Sequence, residues 1–249
     1  MPNDSQQRPA SSWGRAVLRG LGVDLVRYPW HTTLNGHLRW LLRELHITTV
    51  IDVGANVGQF GSALRNPIRF SGEVISFEPG PDALTQLRRA ASGDPKWKVA
   101  GYALGDQAEL AQLSTFEGSD WNSMHSVDVE NLARAGRQIQ QTGTVQCEVR
   151  RLDAVWSEFI QPGAKVFLKS HTQGHDLRVL EGVGDNWAQV AGLQLYASTD
   201  TFYKGEPSFA EILRVASSYG FQPSAMYPLT RRKGSMAISQ MDVCFVRVD

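Results

Sequence analysis

The chain of 249 residues balances 25 Lys plus Arg against 25 Asp plus Glu and is 42% apolar, with 23 Gly and 11 Pro. That length suits one large core rather than two comparable domains, and the composition excludes collagen-like, low-complexity and mostly disordered chains. The cancelled charge excludes the broad attraction on which non-specific nucleic-acid or anionic-surface binders rely.

Residues 1–12 are polar with almost nothing to bury, and are expected to form a disordered or loosely packed arm. The start lacks the apolar stretch of a leader and no later run reaches roughly 18 apolar residues, so no membrane span and a cytoplasmic location are expected. Segment 13–47 reads as helical. Val17, Leu18 and Leu21, then Leu34, Leu38, Leu41, Leu42 and Leu45, recur at helical spacing on either side of an extended Tyr28-Pro29-Trp30.

From 48 onward strands and helices alternate, as a mostly parallel sheet requires. A β-branched run at 48–53 breaks into Gly54-Ala55-Asn56-Val57-Gly58 and a helix through Phe60, Ala63 and Leu64. A strand at 73–78, a helix with Asp82 as its expected N-cap and a third strand at 97–104 follow. The stretch of about 106–152 reads as an insertion over the sheet, with strands at 108–116 and 144–152 around a polar helix at about 126–141. Alternation resumes with a helix carrying Val155, Trp156 and Phe159, a strand at 165–169, a helix carrying Leu177, Leu180 and Val183, and a strand at 193–197. The last helix opens on a capping box from Ser208 to Glu211 and stops at Gly220. Runs 221–228 and 243–248 then pair as a terminal hairpin whose loop carries the solvated Arg231-Arg232-Lys233. Cys147 and Cys244 lack metal-type spacing and read as reduced, buried thiols.

The turn after the first strand carries chemistry. Asp52 stands just ahead of Gly54, and Gly58 closes the loop. Dinucleotide binders place G-x-G-x-x-G there so that the pyrophosphate meets backbone N–H groups, and this loop lacks the middle glycine. S-adenosylmethionine has no phosphate but carries a cationic tail and a sulfonium, which an acid ahead of a permissive loop suits better. Both cofactors remain candidates, beside a plain glycine turn with solvated acids. Glu78 ends the second strand, where an α/β nucleotide site places an acid on the ribose hydroxyls. Ala103, Leu104 and Asp106 end the third, as an apolar wall and a polar group for adenine.

In order and spacing, TVIDVGANVGQF, VISFEPGPDAL, YALGD, LKSHTQGHDLRVLEG and LQLYASTDTFYKGEPSF resemble the FkbM-type methyltransferases over about residues 21–249. The resemblance implies a class I, Rossmann-like α/β domain over 48–249, its sheet mostly parallel with an antiparallel C-terminal strand and helices on both faces. It implies S-adenosyl-L-methionine as cofactor and O-methylation of a hydroxyl on a sugar, glycolipid or natural product. By that likeness Asp52, Gly54, Ala55, Asn56 and Gly58 cradle the methionine part, Glu78 holds the ribose, and Ala103, Leu104 and Asp106 lie by the adenine.

The chain departs from the family at two strand ends. Where the family usually reads K-x-D-x-x-G it has His171, and where the family reads L-Q-x-E it has Tyr196. An alcohol acceptor must lose a proton during methyl transfer, and His171 is a candidate base, with a rate rising between roughly pH 6 and 7 as the imidazole becomes neutral. His171 could instead bind or orient the acceptor, or mark a catalytically silent S-adenosylmethionine-binding protein that acts through association. His171 and His175 stand four apart, but no third ligand is evident and no metal is expected. Trp121, Ser123, Tyr196 and Tyr203 are candidates to border a small-molecule or glycan acceptor, although Trp121 and Tyr203 suit lid packing as well. Oligomeric state and acceptor identity stay open.

Overall fold

The computed structural model describes Gly20 and residues 33–248. The expected N-terminal arm, the first helix around Val17, Leu18 and Leu21, and Tyr28-Pro29-Trp30 lie outside the described residues. Helix α1 (Leu34–Glu44) starts at Thr33, whose hydroxyl accepts from Gly36 N, and buries Leu38, Leu41 and Leu42 on one face.

Strands β1 (Thr49–Val53), β2 (Glu73–Phe77) and β3 (Trp97–Ala100) alternate with helices α2 (Gln59–Arg65) and α3 (Pro81–Ala91). Strand β4 (Ala103–Gly105), β5 (Glu109–Phe116) and β6 (Gln141–Arg151) form a separate three-stranded sheet, with α4 (Val129–Arg134) between the last two. Then come α5 (Leu152–Phe159), β7 (Val166–Ser170), α6 (Asp176–Glu181), β8 (Val190–Ser198), α7 (Phe209–Ser218), β9 (Phe221–Arg231) and β10 (Ile238–Arg247). The seven-stranded main sheet has the order β3-β2-β1-β7-β8-β10-β9. Its first five strands are parallel, whereas β10 runs antiparallel to both neighbours. This is the mostly parallel sheet with an antiparallel C-terminal strand that the resemblance implies.

Both faces are covered, so the central strands are mostly apolar rather than alternating. Ile51, Ile75, Leu168, Leu193 and Val243 pack under α5, α6 and α7, while the alternate residues Val50, Val74, Phe167 and Cys244 pack under α1, α2 and α3. The capping box of α7 forms from both sides, and Gly220, at φ +83°, ends that helix.

Three boundaries differ from the sequence reading. The single strand expected at 97–104 is two: the chain leaves the main sheet at Gly101-Tyr102, and β4 pairs with β6 instead, Ala103 opposite Val149. The expected polar helix at 126–141 spans only α4, because Gly136 turns left-handed at φ +68° and Gln141 already opens β6. Asp82 is not the N-cap of α3. Gly80 holds that place with Pro81 behind it, whose missing N–H is no loss there, and Asp82 sits in the first turn, where the helix dipole favours an acid.

Candidate active site

The C-terminal ends of the parallel strands open on a cavity of about 320 Å³. In open α/β sheets this edge is where ligands bind. One end is walled by Phe77, Glu78, Ala103, Leu104 and Leu113, and the other by Leu34, Phe60, Lys169, His171, Gln194 and Asp242.

The glycine loop enters between these ends. Gly54 N and Ala55 N both donate to Phe77 O at 3.1 Å, which pins the loop to β2. Gly54 has φ +69°, and a Cβ there would run into the carbonyl oxygen of His171. Asn56, also left-handed at φ +50°, donates its backbone N–H to Glu78 at 2.8 Å, while Gly80 N donates to the other Glu78 oxygen at 2.8 Å. Glu78 is buried, and desolvation raises its pKa against the lowering by those two N–H groups and Lys169. Each carboxylate oxygen keeps a lone pair for a ligand.

Asp52 does not line the cavity. It is fully buried, accepts from the Lys169 ammonium at 2.8 Å and from the Ser76 hydroxyl at 3.2 Å, and Ser76 accepts in turn from the Trp97 indole at 3.0 Å. Lys169 spends its other two protons on Val53 O (3.3 Å) and Gly54 O (3.0 Å). The acid ahead of the loop therefore neutralises a lysine that holds the loop's carbonyls. It is not a free counter-charge for a cationic ligand. Gly58 also stands behind the wall: at φ +94° it packs on Leu87, Ala90 and Trp97. Asp106 lies off the cavity, 3.4 Å from the Arg178 guanidinium, because the chain has left the main sheet before reaching it.

His171 lines the cavity and is half-buried. Its ring stacks on Tyr196, centroids 4.2 Å apart and planes 14° off parallel. Burial, and secondarily Lys169, lowers its pKa to about 3, so the imidazole is neutral throughout the working range. His175 has a different partner, the His125 ring at 5.7 Å, and begins α6. Among the described residues, no group of three or more His, Cys, Asp or Glu is placed to hold a metal.

Of the acceptor candidates, Ser123 lines the cavity, its hydroxyl donating to Gln173 O at 2.8 Å. Trp121, Tyr196 and Tyr203 do not line it. Tyr203 is buried and donates its hydroxyl to Trp121 O at 2.8 Å, while the Trp121 ring packs edge-on against Phe202. The short 3₁₀ turn Ser119–Trp121 lies over the glycine loop: Ser119 donates to the Asn56 side chain at 2.6 Å, Asn56 donates to the Asp120 carboxylate, and Gln173 donates to Asp120 O at 2.6 Å.

Sequence reasoning passed over Lys169, Gln194 and Asp242. Each is a polar residue in a mostly apolar central strand, VFLKS, GLQLYA and MDVCFV, and a buried polar or charged group in such a run needs a partner or a ligand. Along the cavity wall Thr172 Oγ1, Gln173 Oε1 and Gln194 Oε1 are buried without a partner among the described residues, so a polar ligand fits this wall.

Residues 52–223 match the family model described as "Methyltransferase FkbM domain". The chain belongs to that family. FkbM methyltransferases use S-adenosylmethionine, and that is the cofactor of this chain. No curated protein matches the sequence. Similar solved structures include a magnesium protoporphyrin IX methyltransferase from Synechocystis PCC 6803 with bound cofactor, 11% identical, covering 96% of this chain and 92% of that one at a TM-score of 0.45. A methyltransferase dependent on the same cofactor, from Aquifex aeolicus, is 11% identical, with 94% and 98% covered and a TM-score of 0.44. An O-methyltransferase from neocarzinostatin biosynthesis is also 11% identical, with 86% and 55% covered and a TM-score of 0.40. Among the described residues no helix of this FkbM domain is long and apolar enough to cross a membrane.

Proposed function

We propose that the protein is an S-adenosylmethionine-dependent O-methyltransferase acting on a hydroxyl of a sugar, glycolipid or natural product. The observation that carries this reading is one cavity with two unlike ends, the Glu78 carboxylate at one and a neutral imidazole beside uncompensated polar groups at the other. Gly54, Ala55 and Asn56 cradle the methionine part, Glu78 accepts from the ribose hydroxyls, and Ala103 and Leu104, joined by Leu113, flank the adenine. Asp52 and Gly58 act from behind, through Lys169 and through the packing of α2. Cys147 and Cys244, both buried and free, suit the reducing cytoplasm. Bound S-adenosylmethionine supplies an electrophilic methyl, and the chain's part is to align the acceptor oxygen and take its proton.

His171 fits orientation better than proton removal. An imidazole held at about 3 is in its accepting form at any working pH but is a weak base, and Brønsted behaviour penalises that. Since no proton leaves His171 between pH 6 and 7, kcat/KM shows no rise there that depends on it. The profiles of the natural protein and of His171→Gln are therefore expected to have the same shape, and an inflection near 6.5 lost in the variant would count against the geometry. Glu78→Ala is expected to weaken S-adenosylhomocysteine binding by about 1–3 kcal/mol through the lost charge-assisted hydrogen bonds. Unchanged affinity in calorimetry of the folded variant removes Glu78 from the site.

The decisive experiment is a screen of sugars, catechols and phenolic natural products with labelled cofactor, read as a mass gain of one methyl. A second reading, a silent cofactor-binding protein, draws on the His171–Tyr196 stack filling the two positions where the family usually has acids. It prevails if the natural chain methylates nothing while the double variant His171→Asp with Tyr196→Glu becomes active.

A further inference from the structure

We propose that the acceptor's reacting hydroxyl is received between Gln194 and Asp242, and that the Asp242 carboxylate takes its proton. This rests on the O-methyltransferase reading and names the group that reading leaves open. On β10 Asp242 stands opposite Tyr196, and Cys244 stands opposite Gln194, so Asp242, Tyr196 and Gln194 share one face of the sheet. Gln194 is in turn the β8 neighbour of Lys169. Both Gln194 (3% exposed) and Asp242 (6% exposed) line the cavity beside His171.

Two features make this pair a receptor for a hydrogen-bond donor. Gln194 lines the same cavity as Asp242, and its Oε1 is left buried and unpartnered among the described residues. Asp242 has no ion pair among the described residues, since the nearby Lys169 has committed its three protons to Asp52, Val53 O and Gly54 O. The other carboxylates lining the cavity have partners, Glu78 two backbone N–H groups and Asp120 the Asn56 side-chain amide. A hydroxyl received here donates its one proton to the Asp242 carboxylate, and a neighbouring hydroxyl of a sugar or natural product donates to the orphaned Gln194 Oε1.

The position also suits the acceptor rather than the cofactor. From β2, which Glu78 follows directly, to β10 is four strand steps across β1, β7 and β8, or about 19 Å at the usual spacing. A cofactor held by its ribose on Glu78 would have its sugar at the β2 end of the cavity, and Asp242 stands at the other end, beyond β8. The proton of the acceptor O–H passes to an Asp242 oxygen as the acceptor oxygen's lone pair forms the bond to the methyl carbon. The carbon–sulfur bond breaks with its pair going to sulfur, which leaves a neutral thioether. Burial raises the pKa of Asp242, so it holds a proton better than an ordinary carboxylate.

The test needs no identified acceptor. A sulfonium arriving beside the Asp242 carboxyl favours its ionised form and lowers its pKa, whereas a neutral thioether does not, so at a pH inside that shift the first releases more protons than the second. Binding of S-adenosylmethionine and of S-adenosylhomocysteine to the natural protein, Asp242→Asn and Asp242→Glu is measured by calorimetry in buffers of different ionisation enthalpy across the accessible pH range. The charges facing Asp242 are Lys169 from β7 and Asp176 from α6; Tyr196 of β8 and Tyr227 of β9 flank it, and burial raises the pKa of each phenol and keeps it uncharged. Expected is a proton release with S-adenosylmethionine beyond that with S-adenosylhomocysteine, abolished in Asp242→Asn, kept in Asp242→Glu, with S-adenosylhomocysteine affinity within about threefold throughout. For any methylated acceptor, Asp242→Asn should lower turnover by on the order of 10²–10⁴ at little change in KM for the cofactor. A proton difference that is absent, or that survives in Asp242→Asn, overturns the proposal. So does loss of S-adenosylhomocysteine binding in that variant, which would place Asp242 on the cofactor or in the fold. Failure of the natural protein to bind either molecule overturns the O-methyltransferase reading instead.

Discussion

Lys169→Met is expected to cost about 3–5 kcal/mol, because it leaves Asp52 charged, fully buried and answered only by the Ser76 hydroxyl. For a chain of this size that lowers Tm by roughly 6–20 °C in a thermal melt. The companion Asp52→Asn, Lys169→Met removes both charges, and since an uncharged replacement of a buried pair is often neutral, most of the stability should return. Cofactor affinity should not return with it. The ammonium also holds Val53 O and Gly54 O, the carbonyls that shape the loop, and methionine donates nothing to them. S-adenosylhomocysteine affinity is therefore expected to stay at least about tenfold down in the refolded double variant, the loss of one to two hydrogen bonds to a charged group. A double variant that is stable and binds like the natural protein would reduce Lys169 to a structural partner of Asp52.

This pair shows where the sequence is legible and where it stops. The β-branched run, the glycine turn and Glu78 follow from periodicity and turn chemistry, and the model places Gly54, Ala55, Asn56, Glu78, Ala103, Leu104, Ser123 and His171 on one cavity. The partner of Asp52 was not legible, because Lys169 is remote in sequence and meets it only when β1 and β7 become neighbours in register. The same holds for Asp242, which is brought to the site by an antiparallel strand inserted between β8 and β9. Asp106 fails to reach the cavity for a local reason instead. At the break between the sheets Tyr102 packs on Phe77 at 5.5 Å with the Arg150 guanidinium over its ring, and β4 beyond it pairs with β6. Hydrophobic patterning cannot distinguish a strand that continues from one that changes sheets, since both are apolar. His171 shows a further limit: its residue type implied titration near neutrality, whereas its burial against Tyr196 removes it.

Gly54→Ala is expected to be the most damaging small substitution in the loop, and Gly163→Ala provides its control. Both glycines are left-handed, at φ +69° and +77°, so alanine at either pays a backbone strain of about 1–3 kcal/mol. They differ in what the new methyl meets. At Gly163 nothing lies within 4 Å, whereas at Gly54 the methyl runs into the carbonyl of His171. That carbonyl is backbone at the end of β7, fixed by the Val53–Ser170 pairing and by the hydrogen bond from His171 N to Val53 O at 3.1 Å, so relief requires β1 and β7 to part where the cavity begins. Gly163→Ala should therefore cost only its strain and leave S-adenosylhomocysteine affinity within about twofold. Gly54→Ala should add at least about 1–3 kcal/mol of overpacking and lower that affinity by on the order of 10²-fold, because the displaced backbone is the cradle itself. Thermal melts and calorimetry of the two variants side by side read both quantities, and a Gly54→Ala protein as stable and as tight-binding as Gly163→Ala would show that the loop does not need glycine for this contact.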